Sequence, residues 1–166
     1  GLDVNGFPLN TGSQISTATA VGDLDGDGYD EIVFGTSDGV VYAVNRQGSM
    51  NVVYDHQGSL IDVPVLSDLD HDGDLEIIFT SNFESGGILH AIHHTGDDVA
   101  GFPTDVNNLI NACPSVADLD NDGVLDIIIT SQSWNDTLGW ELSILALDAS
   151  GMSKAGFPFS IEGRKS

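Results

Sequence analysis

Three stretches of the chain share one pattern. Residues 20–35 read AVGDLDGDGYDEIVFG, residues 65–80 read VLSDLDHDGDLEIIFT and residues 115–130 read SVADLDNDGVLDIIIT. Each fits D-L-D-x-D-G-x-x-[DE]-I. The leading aspartates are Asp23, Asp68 and Asp118, so the unit recurs after 45 and then 50 residues. A period of that size constrains the fold strongly, because it belongs to propellers and solenoids. A second signature travels with the first. G-F-P occurs around Phe7, Phe102 and Phe157, and Phe7 and Phe102 each stand 16 residues before a leading aspartate. Two motifs at one offset mark a structural unit.

The segments between are strand-like. EIVFG, EIIFT and DIIIT are short β-branched runs, while GVVYAVN, GILHAIH and ELSILALD alternate or nearly so. Gly, Asn, Asp and Ser separate them. Each repeat therefore reads as a four-stranded antiparallel meander. Strand A precedes the Asp loop, B follows it, C is third and D is the GFP strand. MNVVYDHQ takes the D place in the first repeat. Four strands per repeat is the geometry of a propeller blade. The expected fold is all-β: three four-stranded antiparallel β-propeller blades, an incomplete propeller, with a calcium loop in each A–B hairpin. The expected divisions are an outer strand of a preceding blade at 1–16 and blades at 17–61, 62–111 and 112–166.

Carboxylates at loop positions 1, 3 and 5 surround a common point, and Gly at position 6 permits the tight turn. A backbone carbonyl at 7 and an acid at 9 close the shell. That is an oxygen cage for a hard cation, and Ca²⁺ takes about six to eight such oxygens. The expected side-chain ligands are Asp23, Asp25, Asp27 and Glu31; Asp68, Asp70, Asp72 and Glu76; Asp118, Asp120, Asp122 and Asp126. Tyr29, Asp74 and Val124 supply the carbonyls, giving three Ca²⁺ sites. Without an ion, two carboxylates ~4 Å apart repel by ~1 kcal/mol in water and ~4 kcal/mol at an effective dielectric of about 20. Mg²⁺ resists an all-protein cage. Zn²⁺ wants His or Cys, which no loop offers at a ligand position; His71, at position 4, is expected to face out. An EF-hand needs Glu at position 12 and flanking helices, but Phe34, Phe79 and Ile129 stand there and strands follow.

With these residues the chain resembles the FG-GAP or VCBS-type repeats of integrin α-subunit β-propellers and related bacterial surface proteins. The three D-L-D-x-D-G-x-x-[DE] loops and IVFG at 32–35 carry the resemblance, which runs over residues 5–161. No G-A-P follows the strands, so the bacterial branch is the more similar. The resemblance implies calcium between strands A and B of each blade. It also implies service in adhesion, in carbohydrate binding or as an accessory module of a larger extracellular enzyme.

The chain has 26 acidic residues against 4 Lys plus Arg, a net charge of −22, which excludes nucleic acids and anionic membranes as partners. Its apolar runs are far too short for membrane insertion. An extracellular or cell-surface location, or the periplasm, follows from the cages, since such extracellular sites bind at about 10⁻⁴–10⁻³ M calcium. The chain opens at Gly1 without a signal-peptide pattern, as a processed segment does, and its tail contains IEGR, a factor Xa-type cleavage sequence.

No P-loop, G-x-S-x-G or H-E-x-x-H is present, and the chain reads as a non-enzyme. His90, His93 and His94 read as a partly exposed strand surface, with His90 and His94 on one face. The partner is expected to be a protein or carbohydrate. It is expected on the face of the B–C loops, which lengthen along the chain to SQSWNDTLGW at 131–140. Trp134 is a candidate contact there, and Asn135 opens an N-D-T glycosylation sequon. Trp140 is expected to start strand C and pack between blades. Three repeats do not close a propeller, so self-association through open blade ends, into a ring or filament, is the structural alternative. Cys113, beside apolar residues, is expected to be a core thiol.

Overall fold

The computed structural model describes residues 6–56, 60–84, 86–136 and 139–162. IEGR beyond Glu162 and the threonine of the N-D-T sequon lie outside them. The described residues contain strands, turns and no helix, hence no helix long and apolar enough to cross a membrane.

Among the described residues, fourteen strands form three open antiparallel sheets. The first contains β1 (Ala20–Gly22), β2 (Glu31–Gly35), β3 (Val40–Val44) and β4 (Met50–Asp55) in chain order. The second contains β5 (Leu60–Ile61), β6 (Val65–Ser67), β7 (Glu76–Phe83), β8 (Gly86–Ile92) and β9 (Thr104–Asp105). The third repeats it with β10 (Leu109–Ile110), β11 (Ser115–Ala117), β12 (Asp126–Asn135), β13 (Gly139–Asp148) and β14 (Phe159–Glu162). The repeat pattern thus folds as read, with each Asp loop joining strand A to strand B. None of the sheets closes on itself, an arrangement consistent with an incomplete propeller-like fold.

Two details depart from four strands per sheet. β5 and β10 are extra pieces ahead of strand A; they pair with the far ends of β7 and β12, Leu60 opposite Asn82 and Leu109 opposite Gln132. They have partners because the expected B–C loops are mostly strand: β7 runs to Phe83 and β12 to Asn135. At the N-terminal side, Leu9 and Asn10 stand where β9 would, just past Pro8, but belong to no strand. The pairing found among residues 6–16 is one bridge, Ile15 with Thr36.

Strand alternation explains how the sheets stack. In β7, Ile77 and Phe79 enter a cluster with Leu24, Val33 and Val41 of the first repeat. Ile78, between them, enters the opposite cluster with Ile127, Ile129 and Leu147 of the third. A period of two therefore buries both faces of the middle sheet. The motif leucine does the same for its loop. Leu24 and Leu69 are 2 % and 1 % exposed, each set in the cluster shared with the following sheet, whereas Leu119 is 49 % exposed.

The GFP segments lock neighbouring repeats by their backbones. A Cβ on Gly101 would lie 1.9 Å from Ser150 O, in the turn between β13 and β14; one on Gly6 would lie 2.2 Å from Gln47 O, in the turn between β3 and β4. Both glycines have positive φ, so any side chain would be strained there as well as blocked. Gly156, the third of the set, has nothing within 4 Å of its Cβ position.

Three expectations about single residues fail. Cys113 is exposed; its segment turns between β10 and β11, and Pro114 takes the buried place. Trp140 is 48 % exposed rather than packed between sheets, because it sits near the tip of the long β12–β13 hairpin, opposite Trp134. His90 is fully buried rather than on a surface, stacked on Phe79 with ring centroids 4.6 Å apart.

Candidate metal centre

Each Asp loop is braced by its ninth residue. Leu24 N donates to Glu31 Oε2 at 3.1 Å, Leu69 N to Glu76 Oε2 at 2.7 Å and Leu119 N to Asp126 Oδ2 at 3.1 Å. The acid at the start of strand B thus fixes the second loop residue and pins the turn. Inside the turn, the aspartates accept backbone N–H groups from residues further on. Gly28 N donates to Asp23 Oδ2 at 2.9 Å and Gly123 N to Asp118 Oδ2 at 3.0 Å. Gly28, Gly73 and Gly123 hold φ of 89°, 100° and 86°. That reversal points the loop carboxylates inward, and the expected carbonyl donors Tyr29, Asp74 and Val124 come directly after it.

Oxygens of Asp23, Asp25 and Asp27 lie within 4.8 Å of one another, as do oxygens of Asp118, Asp120 and Asp122. In the second loop the group is Asp70, Asp72 and Glu76, joined by a nitrogen of His93. Glu31, Asp68 and Asp126 stand outside these tight groups. Asp23 Oδ1, Asp68 Oδ1, Asp74 Oδ1 and Asp126 Oδ1 are buried and accept no hydrogen bond, and of these Asp126 Oδ1 lies 2.9 Å from the Lys154 ammonium. A buried carboxylate oxygen without a donor is costly unless a cation meets it. The first two loops therefore fit a hard cation, with one mixed feature in the second.

That feature is an imidazole from outside the loop. His93 follows β8 and its Nδ1 lies 3.1 Å from Glu76 Oε1. His94 Nδ1 lies 2.6 Å from Asp74 Oδ2. The three histidines do not assemble: His90 points into the core, and His93 and His94 meet different acids of one loop. His71 is exposed, as expected, and its Nε2, 3.2 Å from Gly123 O, links the second loop to the third.

Burial and crowded charge act together on the glutamates of the loops. Burial pushes Glu31 and Glu76 above the usual carboxylate range; the bonds from Leu24 and Leu69 oppose this, and neighbouring aspartates of the same loop add to it. A bound dication would favour the charged forms instead.

The third loop differs. Lys154 Nζ lies 2.8 Å from Asp120 Oδ2, 2.9 Å from Asp126 Oδ1 and 3.7 Å from Asp122 Oδ2. Hydrogen bonds and charge from these acids hold the ammonium above its ordinary value, and the bond to Lys154 holds Asp120 below its own. Between the second and third loops lies a groove of about 870 Å³, lined in part by Asp70, His93, Asp120, Asp148 and Lys154. Neither His93 nor Lys154 belongs to the loop motif. The signal that would have exposed them is the alignment of the turns between strands C and D.

The first loop and its flanking strands carry a likeness to a known family. The FG-GAP repeat family model matches residues 16–49, a span that holds β1, the first Asp loop, β2 and β3. Over residues 16–49 the chain is similar to an FG-GAP repeat. No curated protein matches the chain. The matched span ends at the turn after β3, where Asn45 Oδ1 accepts Gln47 N at 3.1 Å and Ser49 N at 2.9 Å. Beside it, the Arg46 guanidinium sits 3.5 Å above the Tyr29 ring at the edge of the loop.

Proposed function

We propose that the chain is a calcium-stabilised module of an incomplete β-propeller that binds an extracellular protein or carbohydrate. The observation that carries this reading is the convergence of Asp23, Asp25 and Asp27, with a buried, donorless oxygen on Asp23, inside the span similar to an FG-GAP repeat. Calcium suits such a site because it accepts many oxygens in flexible geometry. The ion neutralises the turn and ties strand A to strand B, so its role is structural, and the module performs no turnover.

The ligand face in this reading is the end of the β12–β13 hairpin. Trp134 and Trp140 are 56 % and 48 % exposed, edge to face with centroids 5.2 Å apart. They border a shallow groove of about 220 Å³ with Asn107, Asn108 and Gln132. Flat aromatic surface beside amides suits a sugar ring or a peptide.

Thermal unfolding with and without EGTA tests the calcium reading. The melting temperature falls sharply in chelator and returns with added calcium. A curve that EGTA leaves unmoved defeats it.

One observation favours an additional role in assembly. Leu119, Met152, Phe159 and Ile161 are 49 %, 68 %, 57 % and 49 % exposed on the third repeat, and Gly156 faces open space. At the other sheet contacts the equivalent leucine and glycines meet a neighbour. A further blade or a second copy of the chain covers this face, and light scattering that gives a strict monomer at high concentration removes the second copy.

A further inference from the structure

We infer that the third Asp loop is not a calcium site in this chain, because the Lys154 ammonium is its resident cation. The inference rests on the cage reading of the loops and sets a limit on it. The three loops match in sequence, and the difference lies in one distant position. Backbone pairing locates that position in every repeat. Asn51 stands opposite Ala43, Val99 N donates to Ala91 O, and Lys154 N donates to Ala146 O. The three alanines are themselves equivalent, opposite Val33, Ile78 and Ile128, each ten residues after its leading aspartate. So one place in the fold holds Asn51, Val99 and Lys154.

At that place the first repeat presents an amide and the second a buried apolar side chain. The third presents an ammonium on a stem long enough to reach the loop. Lys154 is 15 % exposed and lies within 4 Å of oxygens from Asp120, Asp122 and Asp126, three of the four acids that would hold calcium. Asp126 is wholly buried, so its charge requires a partner in the fold, and Lys154 gives it one at 2.9 Å. Like-charged ammonium and dication do not share such a space. For calcium to enter, Lys154 must leave and expose its charge to the incoming ion. The loop is thereby stabilised without calcium, and its pairing is present at any calcium concentration.

Native mass spectrometry in millimolar calcium, counting ions per folded chain, tests this. Lys154→Met binds one calcium more than the parent chain, and Asp118→Asn in the parent background leaves the count unchanged. Asp23→Asn lowers it by one. Equal counts for the parent and Lys154→Met overturn the inference, as does a count lowered by Asp118→Asn. If Lys154→Met does not fold, the Asp118→Asn comparison decides alone. A parent chain that binds no calcium defeats the cage reading of the first two loops. Lys154→Met then still reads the third: one ion supports the resident ammonium and none overturns it.

Discussion

The second and third repeats differ little in motif and much in setting. In the second, Leu69 is buried against the third sheet, Glu76 is buried beside His93, and His90 stacks on Phe79 inside the core. In the third, Leu119 is half exposed, Asp126 meets Lys154, and Leu145 occupies the place of His90, opposite Ile129 as His90 is opposite Phe79. One loop motif thus serves a repeat packed on both faces and a repeat packed on one. What an Asp loop does depends on residues that the motif does not contain. The turn after strand C supplies an imidazole in one case, and the residue beyond that turn supplies an ammonium in the other.

The largest expected effect comes from the motif leucine. Leu69→Ala removes a side chain from the cluster between the second and third sheets and lowers stability by about 2–5 kcal/mol. Leu119→Ala, at the matching position, changes it by less than about 0.5 kcal/mol. Urea unfolding of the two variants checks this. Equal losses would mean that Leu119 is covered as Leu69 is.

Acid distinguishes the repeats next. Burial, helped by the neighbouring His56, pushes the His90 imidazole down to about 3, and its Nε2 lies 2.9 Å from Ser81 Oγ. The unfolded imidazole takes its proton near pH 6.5, so below that pH the unfolded chain binds more protons than the folded one. The His90 contribution to stability is intact above about pH 6.5 and falls by about 1.4 kcal/mol per pH unit between 6.5 and 3. His90→Leu, copying the third repeat, flattens that part of the pH profile. An unchanged acid limb would place the sensitivity elsewhere.

Much of this was legible in the sequence, for a physical reason. The loops are local: five carboxylates and a turn glycine within nine residues of the first repeat have few ways to fold. The order of strands A to D follows from the same period. What the sequence hid was non-local. His93 and Lys154 reach the loops through strand pairing across 17 and 28 residues, and Cys113 yields its place to Pro114 through the shape of one turn. Trp140 is exposed against expectation, because its burial depends on whether a neighbouring sheet extends as far as the hairpin does. Trp134→Ala tests that reading with the smallest expected change: stability moves by less than about 0.5 kcal/mol, while Trp140 fluorescence shifts as its edge-to-face neighbour goes. A large loss of stability would mean that the pair is covered.

The most direct measurement is a diffraction structure of the chain grown with millimolar calcium. Calcium is predicted in the first and second loops, with carboxylate oxygens at about 2.3–2.6 Å, and the Lys154 ammonium alone in the third. First and second loops without calcium under those conditions would contradict the account.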